Sequence, residues 1–287
     1  SARIPAARVS IVKRSFTIAK IRKEKLLMAI RWEDATRQNI QITAHRGIKD
    51  LIPENTLQSF KAALDARCDV LEYDVHLSRD NVPVIMHDQT VERTTDGFGA
   101  ISFMTLEEIK KLDAGIKFGE EFKGYRVPTL EETLDLFVSY DYKPLHIVEI
   151  KDFRPQCVDI VVEMLRKYDL VERTVIEAGD CPTLKYLQDY YPEFKTLSFM
   201  PYSMKRLDES IYDRLYGVSL PGSKTDPESV KKVLDGADFV EGKGLVLFLS
   251  GTTEEQMDNA INARCVNLTT NNLYAAQEYL AKKGLRK

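Results

Sequence analysis

The sequence predicts an α/β protein built as a (β/α)8 barrel, the TIM-barrel fold. From residue 41 onward, short β-rich runs alternate with helical patterns, the order expected of parallel strands joined by crossover helices. About eight or nine such strands in roughly 250 residues match the size of this barrel. An open doubly wound sheet is the alternative, but its nucleotide binders need a glycine-rich phosphate loop after the first strand, and none follows here.

Hydrophobic periodicity sets the individual elements. The first strand precedes a helix whose start has the capping-box spacing of Asn55 and Gln58. The second strand alternates apolar with polar or acidic residues, and the third is a short apolar run. The predicted strands are Gln41–Ala44, Val70–His76, Val82–Met86, Leu145–Ile150, Thr174–Ile176, Thr196–Phe199, Gly217–Leu220, Leu245–Leu249 and Val266–Thr269. The predicted helices are Thr56–Ala66, Thr105–Leu112, Leu130–Tyr140, Cys157–Tyr168, Thr183–Tyr190, Pro227–Leu234 and Glu254–Ala263.

Two regions depart from this repeat. Residues 88–127 form a long stretch rich in glycine, threonine and charge, so we expect a small insertion on a βα loop, at the face of the barrel where active sites lie. Residues 1–40 precede the first strand and are predicted to form a basic, helical extension. The sequence therefore predicts an extension at 1–40 and a barrel domain at 41–287.

The extension stands out by its charge. Residues 1–40 contain ten Lys or Arg residues against three acidic ones, whereas the whole chain of 287 residues has a formal net charge of −3. Apolar residues interleave with the basic ones, a pattern typical of an amphipathic helix on an anionic membrane surface. A helix that packs on the lower face of the barrel or against a second copy is the alternative. The first interpretation predicts a cytoplasmic or membrane-associated location facing the cytoplasm, as a soluble domain of a larger membrane protein.

Bulk properties exclude several classes of protein. A net charge of −3 gives the chain no general affinity for polyanions, so we expect no nucleic-acid partner. The four cysteines are far apart, which predicts buried, reduced thiols and a cytosolic-type redox environment. No secretory signal is visible, and no apolar run reaches the roughly 18 residues that a transmembrane helix needs.

Reactive side chains follow the apolar part of four predicted strands. They are His45 and Arg46 on the first strand, Glu72 and Asp74 on the second, His87 after the third, and Glu149 and Lys151 on the fourth. In a parallel barrel the carboxyl ends of all strands meet at one rim, and period-two spacing places each E-x-D or E-x-K pair on one face. We therefore expect these side chains to converge.

Their chemistry indicates a cation and an anion at one site. Three carboxylates that converge repel one another unless a cation lies between them, and an oxygen ligand set favours Mg²⁺ or Ca²⁺ over zinc. Arg46 and Lys151 beside such a cation would bind an anion, most naturally a phosphate group. His45 and His87 would then act as acid and base near neutral pH.

Each feature alone has an ordinary structural explanation. A single histidine at a strand end is more often a hydrogen-bonded structural residue, and we interpret His76 and His146 in that way. Glu149 and Lys151 could form a simple same-face ion pair worth about 0.5 kcal/mol. The joint placement on four successive strand ends makes these explanations insufficient for the set.

The ordered motifs resemble those of glycerophosphodiester phosphodiesterases, which belong to the superfamily of phosphatidylinositol-phospholipase-C-like phosphodiesterases. The motifs are Ala44-His-Arg-Gly47, Pro53-Glu-Asn-Thr56, Glu72-Tyr-Asp-Val75, His87-Asp88, Arg93-Thr-Thr95-x-Gly97, Leu112-Asp-Ala-Gly115, Val127-Pro-Thr-Leu-Glu131 and Val148-Glu-Ile-Lys151. They cover about residues 41–151, and as an ordered set they are highly specific.

This resemblance implies an activity and roles for particular residues. It implies metal-dependent hydrolysis of a small-molecule glycerophosphodiester to an alcohol and sn-glycerol 3-phosphate. One divalent cation would be held by Glu72, Asp74 and Glu149, with His45 and His87 as acid and base. Arg46 and Lys151 would contact phosphate, and Glu54 would support the geometry of the metal site.

After residue 151 the chain departs from the family pattern. Glu177-Ala-Gly-Asp180 stands where the family usually has Ser-Phe, Phe248-Leu-Ser-Gly251 replaces Trp-Thr-Val-Asn, and the last strand ends Thr269-Thr-Asn-Asn272. In the family, these strand ends line the alcohol-binding side of the pocket. The resemblance therefore does not decide which alcohol the substrate carries. The alternatives are lysophospholipids or other polyol or sugar phosphodiesters as substrates, and a catalytically silent barrel that binds phosphorylated ligands.

Overall fold

The described part of the chain is a barrel of strands surrounded by helices. The structure, a computed structural model, describes residues 30–222 and 224–286. The strands are β1 (Gln41–His45), β2 (Val70–Leu77), β3 (Pro83–Ile85), β4 (Leu145–Ile150), β5 (Thr174–Glu177), β6 (Lys195–Phe199), β7 (Gly217–Leu220), β8 (Val246–Ser250) and β9 (Asn267–Thr270). The helices are α1 (Leu57–Asp65), α2 (Leu106–Ile109), α3 (Leu130–Ser139), α4 (Pro155–Lys167), α5 (Cys181–Tyr190), α6 (Pro227–Gly242), α7 (Glu254–Asn262) and α8 (Leu273–Lys282).

All of these strands except β3 pair in parallel and close into a barrel. The sheet runs from β1 through β9, β8, β7, β6, β5 and β4 to β2, and β2 pairs again with β1. Helices pack their apolar faces on the outside of the strands, where the main hydrophobic core lies. Between β6 and β7 the crossover contains short 3-10 turns, Pro201–Ser203 and Glu209–Asp213, in place of a helix. The predicted (β/α)8 barrel is confirmed.

Some helix boundaries differ from those predicted. The first helix is capped by Thr56, whose hydroxyl accepts a hydrogen bond from the Ser59 amide at 3.2 Å, so the predicted Asn55 capping box was wrong. Helix α6 continues eight residues past its predicted end, and Leu220 packs against it at Gly236, a residue type that normally weakens a helix. Helix α8 was not predicted, although its buried residues have helical spacing.

The third strand is the main correction to the predicted topology. β3 pairs antiparallel with the upper part of β2, with Leu77 opposite Pro83 and Val75 opposite Ile85. A parallel pair needs a crossover of a dozen or more residues, whereas only residues 78–82 separate these strands, so a hairpin is required. His87 therefore does not lie at the carboxyl end of a barrel strand. Instead, the antiparallel β3 returns the chain to the rim. There the backbone amide of Met86, the residue before His87, donates a hydrogen bond to the Asp74 carbonyl oxygen at 3.0 Å.

Residues 88–127 form a compact unit beside this hairpin. It packs against the hairpin through a small core of seven buried residues from both: Val84, Met86, Val91, Ile101, Ile109, Ala114 and Val127. Asp113, from the Leu112-Asp-Ala-Gly115 motif, accepts hydrogen bonds from the backbone amides of Gly115, Ile116 and Gly124 at 2.6–3.0 Å. This carboxylate fixes the turn that returns the chain toward α3, consistent with the insertion expected from the sequence.

Trp32 lies in the floor of the barrel, at the end opposite to the strand carboxyl ends. It belongs to a buried cluster with Val70, Leu145, Ile147, Val175, Leu197 and Phe248. Its ring centroid lies 6.0 Å from that of Tyr216 and 6.1 Å from that of Phe248, both in edge-to-face arrangements. Residues 30–40 thus pack on the barrel. Residues 1–29, and with them most of the predicted amphipathic helix, lie outside the described residues, and the membrane contact stays a prediction.

Two further expectations concern the thiols and the membrane. Cys68, Cys157, Cys181 and Cys265 are all buried and free, as predicted. Within residues 30–222 and 224–286, no helix has the length and apolar character needed to cross a bilayer.

Because Trp32 is buried in the floor of the barrel, the segment before β1 contributes to the stability of the fold. We expect Trp32→Ala to lower the free energy of unfolding by about 3–5 kcal/mol, because it removes a large buried ring and leaves a cavity. Trp32→Phe keeps an aromatic ring in place and should cost clearly less. Urea unfolding followed by circular dichroism measures both. An alanine variant within about 1 kcal/mol of wild type would contradict this role for Trp32.

Candidate active site

The carboxyl end of β1 directs the first two predicted site residues to the rim. Arg46 has a left-handed φ of +55° and Gly47 a φ of +86°. A Cβ atom at residue 47 would lie 2.2 Å from the Ser59 hydroxyl oxygen, which accepts a hydrogen bond from the Ile48 amide at 2.8 Å. Only glycine allows this turn to lie against α1, and the turn places the Arg46 side chain over the barrel opening.

Three buried carboxyl groups meet at the same rim. Glu72 and Asp74 face inward from β2, and Glu149 faces inward from β4, where it is in register with Asp74. The three side chains offer oxygen atoms within 4.8 Å of one another, and the residues are 4%, 0% and 8% exposed. Burial, followed by the nearby Asp74 charge, raises the pKa of Glu72, and burial also raises the pKa of Glu149.

Two cations lie against these acids. The Arg46 Nε atom is 3.1 Å from Asp74 Oδ2, and its backbone amide donates to Glu72 Oε2 at 2.9 Å. The Lys151 ammonium is 2.5 Å from Glu149 Oε1 and 3.4 Å from Asp74 Oδ1. Burial opposes ionisation of Asp74, but the charges of Arg46 and Lys151 outweigh it and lower the pKa of Asp74. The two cations therefore lie where they can neutralise both the carboxylates and a bound anion.

Glu54 contacts Arg46, which in turn contacts Asp74 of the acidic triad. The Glu54 carboxylate accepts a hydrogen bond from Arg46 at 3.0 Å and two from Arg93 at 2.8 and 2.9 Å. These contacts outweigh burial and lower the pKa of Glu54 to about 2. The side-chain amide of the neighbouring Asn55 donates a hydrogen bond to Asp74 Oδ2 at 2.8 Å. Glu54 acts on the triad through Arg46, and Asn55 is a direct support that the sequence analysis did not identify.

His45 is held by a residue that the sequence analysis missed. Its Nδ1 atom lies 2.8 Å from Asn271 Oδ1, just after β9. Because an amide oxygen only accepts, Nδ1 carries the proton and the lone pair lies on Nε2, which is 3.9 Å from Glu72 Oε2. Burial, followed by the charges of Arg46 and Lys49, lowers the pKa of His45 to about 3. The imidazole is therefore neutral near pH 7, and its Nε2 atom is unprotonated.

His87 has a different environment. Its Nδ1 atom lies 2.6 Å from Asp88 Oδ1, and Arg93 holds the other oxygen of that carboxylate. Burial lowers the pKa of His87, while the charge of Asp74 and the hydrogen bond to Asp88 act in the opposite direction. His87 has a carboxylate partner that favours the imidazolium, whereas His45 has a neutral amide partner.

The other two histidines do not enter the site as proton carriers. His76 Nε2 lies 3.2 Å from the His87 carbonyl oxygen, a contact that supports the β2–β3 hairpin. His146 is buried and stacks on Phe137 at a centroid distance of 5.2 Å. Both were interpreted as structural, and their contacts agree with that interpretation.

A fourth buried acid, Glu177, was not predicted as a site residue. It ends β5, in register with Glu149, and is 5% exposed. Burial, followed by the charge of Glu149, raises the pKa of Glu177 to about 8. The signal was present as a departure from the family pattern: an acidic residue directly after an apolar strand that ends at the same rim.

All the predicted site residues except Asp74 and Glu54 line one cavity of about 260 Å³, and Asp74 is fully buried against Arg46 and Lys151. The cavity walls are His45, Arg46, Glu72, His87, Ile147, Glu149, Lys151, Glu177, Phe199, Ser203, Ser219, Leu220, Pro221, Phe248, Ser250 and Thr269. A triad of acids, two cations and two histidines that converge on a small cavity can bind a divalent cation and a phosphate ester and can transfer protons.

Comparison with protein families identifies this arrangement. The sequence model of the Glycerophosphoryl diester phosphodiesterase family matches residues 45–265. A glycerophosphodiester phosphodiesterase from Caldanaerobacter subterraneus is 41% identical over 157 residues, which cover 54% of this chain and 64% of that protein. One from Bacillus subtilis is 35% identical over 177 residues, which cover 56% of this chain and 59% of that protein. The chain thus spans slightly less than two thirds of the length of these curated relatives.

Solved structures agree in fold. An Oleispira antarctica phosphodiesterase, solved in complex with the product sn-glycerol-3-phosphate, superposes with a TM-score of 0.72 at 26% identity, covering 84% of this chain and 96% of that one. A glycerophosphodiester phosphodiesterase from Agrobacterium tumefaciens gives a TM-score of 0.65 at 24% identity and covers 83% of this chain and 99% of that one.

The raised pKa of Glu177 predicts a pH-dependent loss of stability in the metal-free protein. In the unfolded chain this carboxyl ionises near its ordinary value of 4.5, whereas in the folded protein it keeps its proton to about pH 8. Glu177 therefore lowers stability progressively as the pH rises from about 4.5 to about 8. Glu177→Gln does not ionise, so its advantage over wild type should be small near pH 5 and reach about 4 kcal/mol at pH 8.

Thermal unfolding in EDTA at pH 5, 6.5 and 8 tests this prediction. An advantage of the glutamine variant that is the same at all three pH values would rule out the ionisation of Glu177 as its cause. Glu172→Gln, which changes an exposed glutamate at the other end of β5, is the matched control and should unfold like wild type at each pH.

Proposed function

The chain belongs to the glycerophosphoryl diester phosphodiesterase family, and on that premise we propose that it hydrolyses glycerophosphodiesters to an alcohol and sn-glycerol 3-phosphate. The observation that carries the proposal is the convergence of the acidic triad, Arg46, Lys151 and both histidines at one end of the barrel, where all of them except Asp74 line one cavity. Relatives named glycerophosphodiester phosphodiesterases and the product complex of the Oleispira antarctica protein support it.

A divalent cation, Mg²⁺ or Ca²⁺, fits the acidic triad. Glu72, Asp74 and Glu149 supply only oxygen donors, which such hard cations prefer. Asp74 Oδ1 is buried and has no hydrogen-bond partner among the described residues, only the Lys151 ammonium at 3.4 Å, so it retains the capacity to bind a cation. When bound, the cation would polarise the phosphodiester and neutralise negative charge that develops on it.

Arg46 and Lys151 would bind the phosphate group. Both side chains lie at the rim against the carboxylates, with Arg46 positioned by Glu54 and Lys151 by Glu149. A guanidinium group and an ammonium group held beside a phosphodiester stabilise its transition state because they are fixed before the reaction starts.

The partners of the two histidines suggest how the proton moves. His45 Nε2 carries a lone pair because Nδ1 donates to Asn271, so His45 takes a proton from the attacking water molecule as the water oxygen bonds to phosphorus and the bond from phosphorus to the alcohol oxygen breaks. His87 Nδ1 donates to Asp88, which stabilises the imidazolium, so His87 Nε2 gives a proton to the oxygen of the departing alcohol. His45 is then the general base and His87 the general acid.

Removal of either histidine should abolish most of the turnover. We expect His45→Ala and His87→Ala each to lower kcat by roughly 100-fold or more, the usual scale for acid–base residues. His146→Phe, which replaces a stacked core histidine, is the matched control and should retain kcat. The assay uses glycerophosphocholine, glycerophosphoethanolamine and a lysophospholipid. Turnover near wild type in both alanine variants would refute the mechanism, and no turnover of any diester by wild type would favour a silent, ligand-binding barrel.

The acidic triad should make the protein dependent on a cation. We expect EDTA to abolish turnover, and Ca²⁺ or Mg²⁺ at about 100 times its Kd to add about 2.7 kcal/mol to the stability. Asp74→Asn should lose this increase, whereas Asp235→Asn, an exposed aspartate on α6, should keep it. Differential scanning calorimetry with and without the cation measures the effect. Turnover that EDTA leaves unchanged would show that the site needs no metal.

A further inference from the structure

The proposed acid and the phosphate-binding arginine lie on separate parts of the chain. His87 follows the hairpin strand β3 and leads into the insertion, whereas Arg46 follows β1 of the closed barrel. The proposed reaction needs both groups at one phosphodiester, because Arg46 neutralises charge on the phosphate while His87 protonates the departing alcohol. A residue that fixes these two groups relative to each other therefore affects the reaction without contact to the substrate.

Arg93 contacts the carboxylates that hold both groups. Its Nε atom donates to Asp88 Oδ2 at 2.5 Å, and Asp88 Oδ1 lies 2.6 Å from His87 Nδ1. Its two terminal nitrogen atoms donate to the two oxygens of Glu54 at 2.9 and 2.8 Å. The same Glu54 carboxylate accepts a hydrogen bond from Arg46 at 3.0 Å. One guanidinium group thus connects His87 to Arg46 through two carboxylates.

This connection depends on the shape of the arginine side chain. A guanidinium group presents its N–H donors in a fixed planar fork, so it can bind one carboxylate with two hydrogen bonds and a second carboxylate with another. Burial raises the pKa of both Glu54 and Asp88, but the hydrogen bonds from Arg93 are the largest opposing effect, and both pKa values lie below their ordinary values. A lysine ammonium is a point charge and does not reproduce this geometry.

The turn that carries Arg93 is anchored in the insertion. Thr95 is fully buried, and its hydroxyl donates to the carbonyl oxygen of Val91, a member of the small core, at 2.8 Å. The carboxylate of Asp96 accepts a hydrogen bond from the Asp113 backbone amide at 2.7 Å. The position of Arg93 is therefore set by the packing of the insertion against the hairpin.

Arg93 acts through other residues. The walls of the cavity, as formed by residues 30–222 and 224–286, include His87 and Arg46 but not Arg93. An isolated ion pair at a surface adds little to stability. Arg93 instead bridges two carboxylates, each of which holds a residue used in the proposed reaction.

We propose that Arg93 is a positioning residue that couples the placement of His87 to that of Arg46. Through Asp88 it orients the ring that gives the proton, and through Glu54 it orients the guanidinium group that binds phosphate. This inference rests on the proposed function, because it takes the roles of His87 and Arg46 from it.

Turnover of two diesters separates the effect on His87 from a general loss of activity. Glycerophosphocholine releases a basic alkoxide that needs a proton, whereas the p-nitrophenyl ester of glycerol phosphate releases a weakly basic phenolate that does not. We expect Arg93→Ala and Asp88→Ala each to lower kcat for the first ester about 10-fold more than for the second. Arg93→Lys, whose ammonium pairs with one carboxylate at a time, should lose less.

Calorimetric titration of the Ca²⁺-loaded protein with inorganic phosphate measures the effect on Arg46. We expect Arg93→Ala and Glu54→Ala each to weaken phosphate binding about 3-fold or more, because Arg46 loses its fixed position. Asp88→Ala should keep the wild-type phosphate affinity, and Glu54→Ala should keep the wild-type ratio of the two ester rates. Arg126→Ala, which removes an exposed arginine of the insertion, is the matched control and should match wild type in both measurements.

Two results would overturn the coupling. An equal loss of kcat for both esters would make Arg93 a purely structural residue, and an unchanged phosphate affinity in Arg93→Ala would remove its connection to Arg46. Circular dichroism shows which variants are folded, and Arg93→Lys replaces Arg93→Ala in both comparisons if the alanine variant does not fold. Failure of wild type to turn over either ester would defeat the proposed function, while the phosphate titrations still decide whether Arg93 acts on Arg46.

Discussion

Mutual repulsion among four buried carboxyl groups is the constraint that the rest of the site satisfies. Two like charges about 4 Å apart cost on the order of 4 kcal/mol at an effective dielectric constant of 20, and here four acids share one end of a barrel. Arg46 and Lys151 compensate part of that charge, and Glu54 and Asn55 hold Arg46 and Asp74 in place. In the proposed function, a divalent cation would offset the remaining negative charge and so allow an anionic phosphate ester to bind.

The barrel tolerates this charge because its two ends are different. Strand alternation sends residues inward at both ends, but the floor is filled by Trp32 and an apolar layer, whereas the rim carries the acids. Apolar burial at the floor and around the outer face stabilises the fold, which can therefore tolerate the destabilising buried acids at the rim. The residues that stabilise the barrel and the residues proposed to react thus lie at different positions along the barrel axis.

The sequence predicted those features that depend on strand alternation and on residues adjacent to apolar runs. It identified the acidic triad, Arg46, Lys151 and both histidines, because each lies next to a strand end. It did not predict the direction of β3, which is a property of pairing between strands, although the five-residue link after β2 was a usable signal. Asn271 was missed because its partner His45 lies near the other end of the sequence, whereas Glu177 ends an apolar strand but belongs to none of the family motifs.

The antiparallel β3 separates the two histidines into different folding units. His45 lies on a strand inside the closed hydrogen-bonded barrel, whereas His87 follows a hairpin strand whose packing depends on the small core that it shares with residues 88–127. Peripheral units of this kind open at lower free energy than a barrel core. Heating would then displace the proposed acid before the barrel melts, so inactivation would begin as a local and reversible event and would precede the global loss of structure.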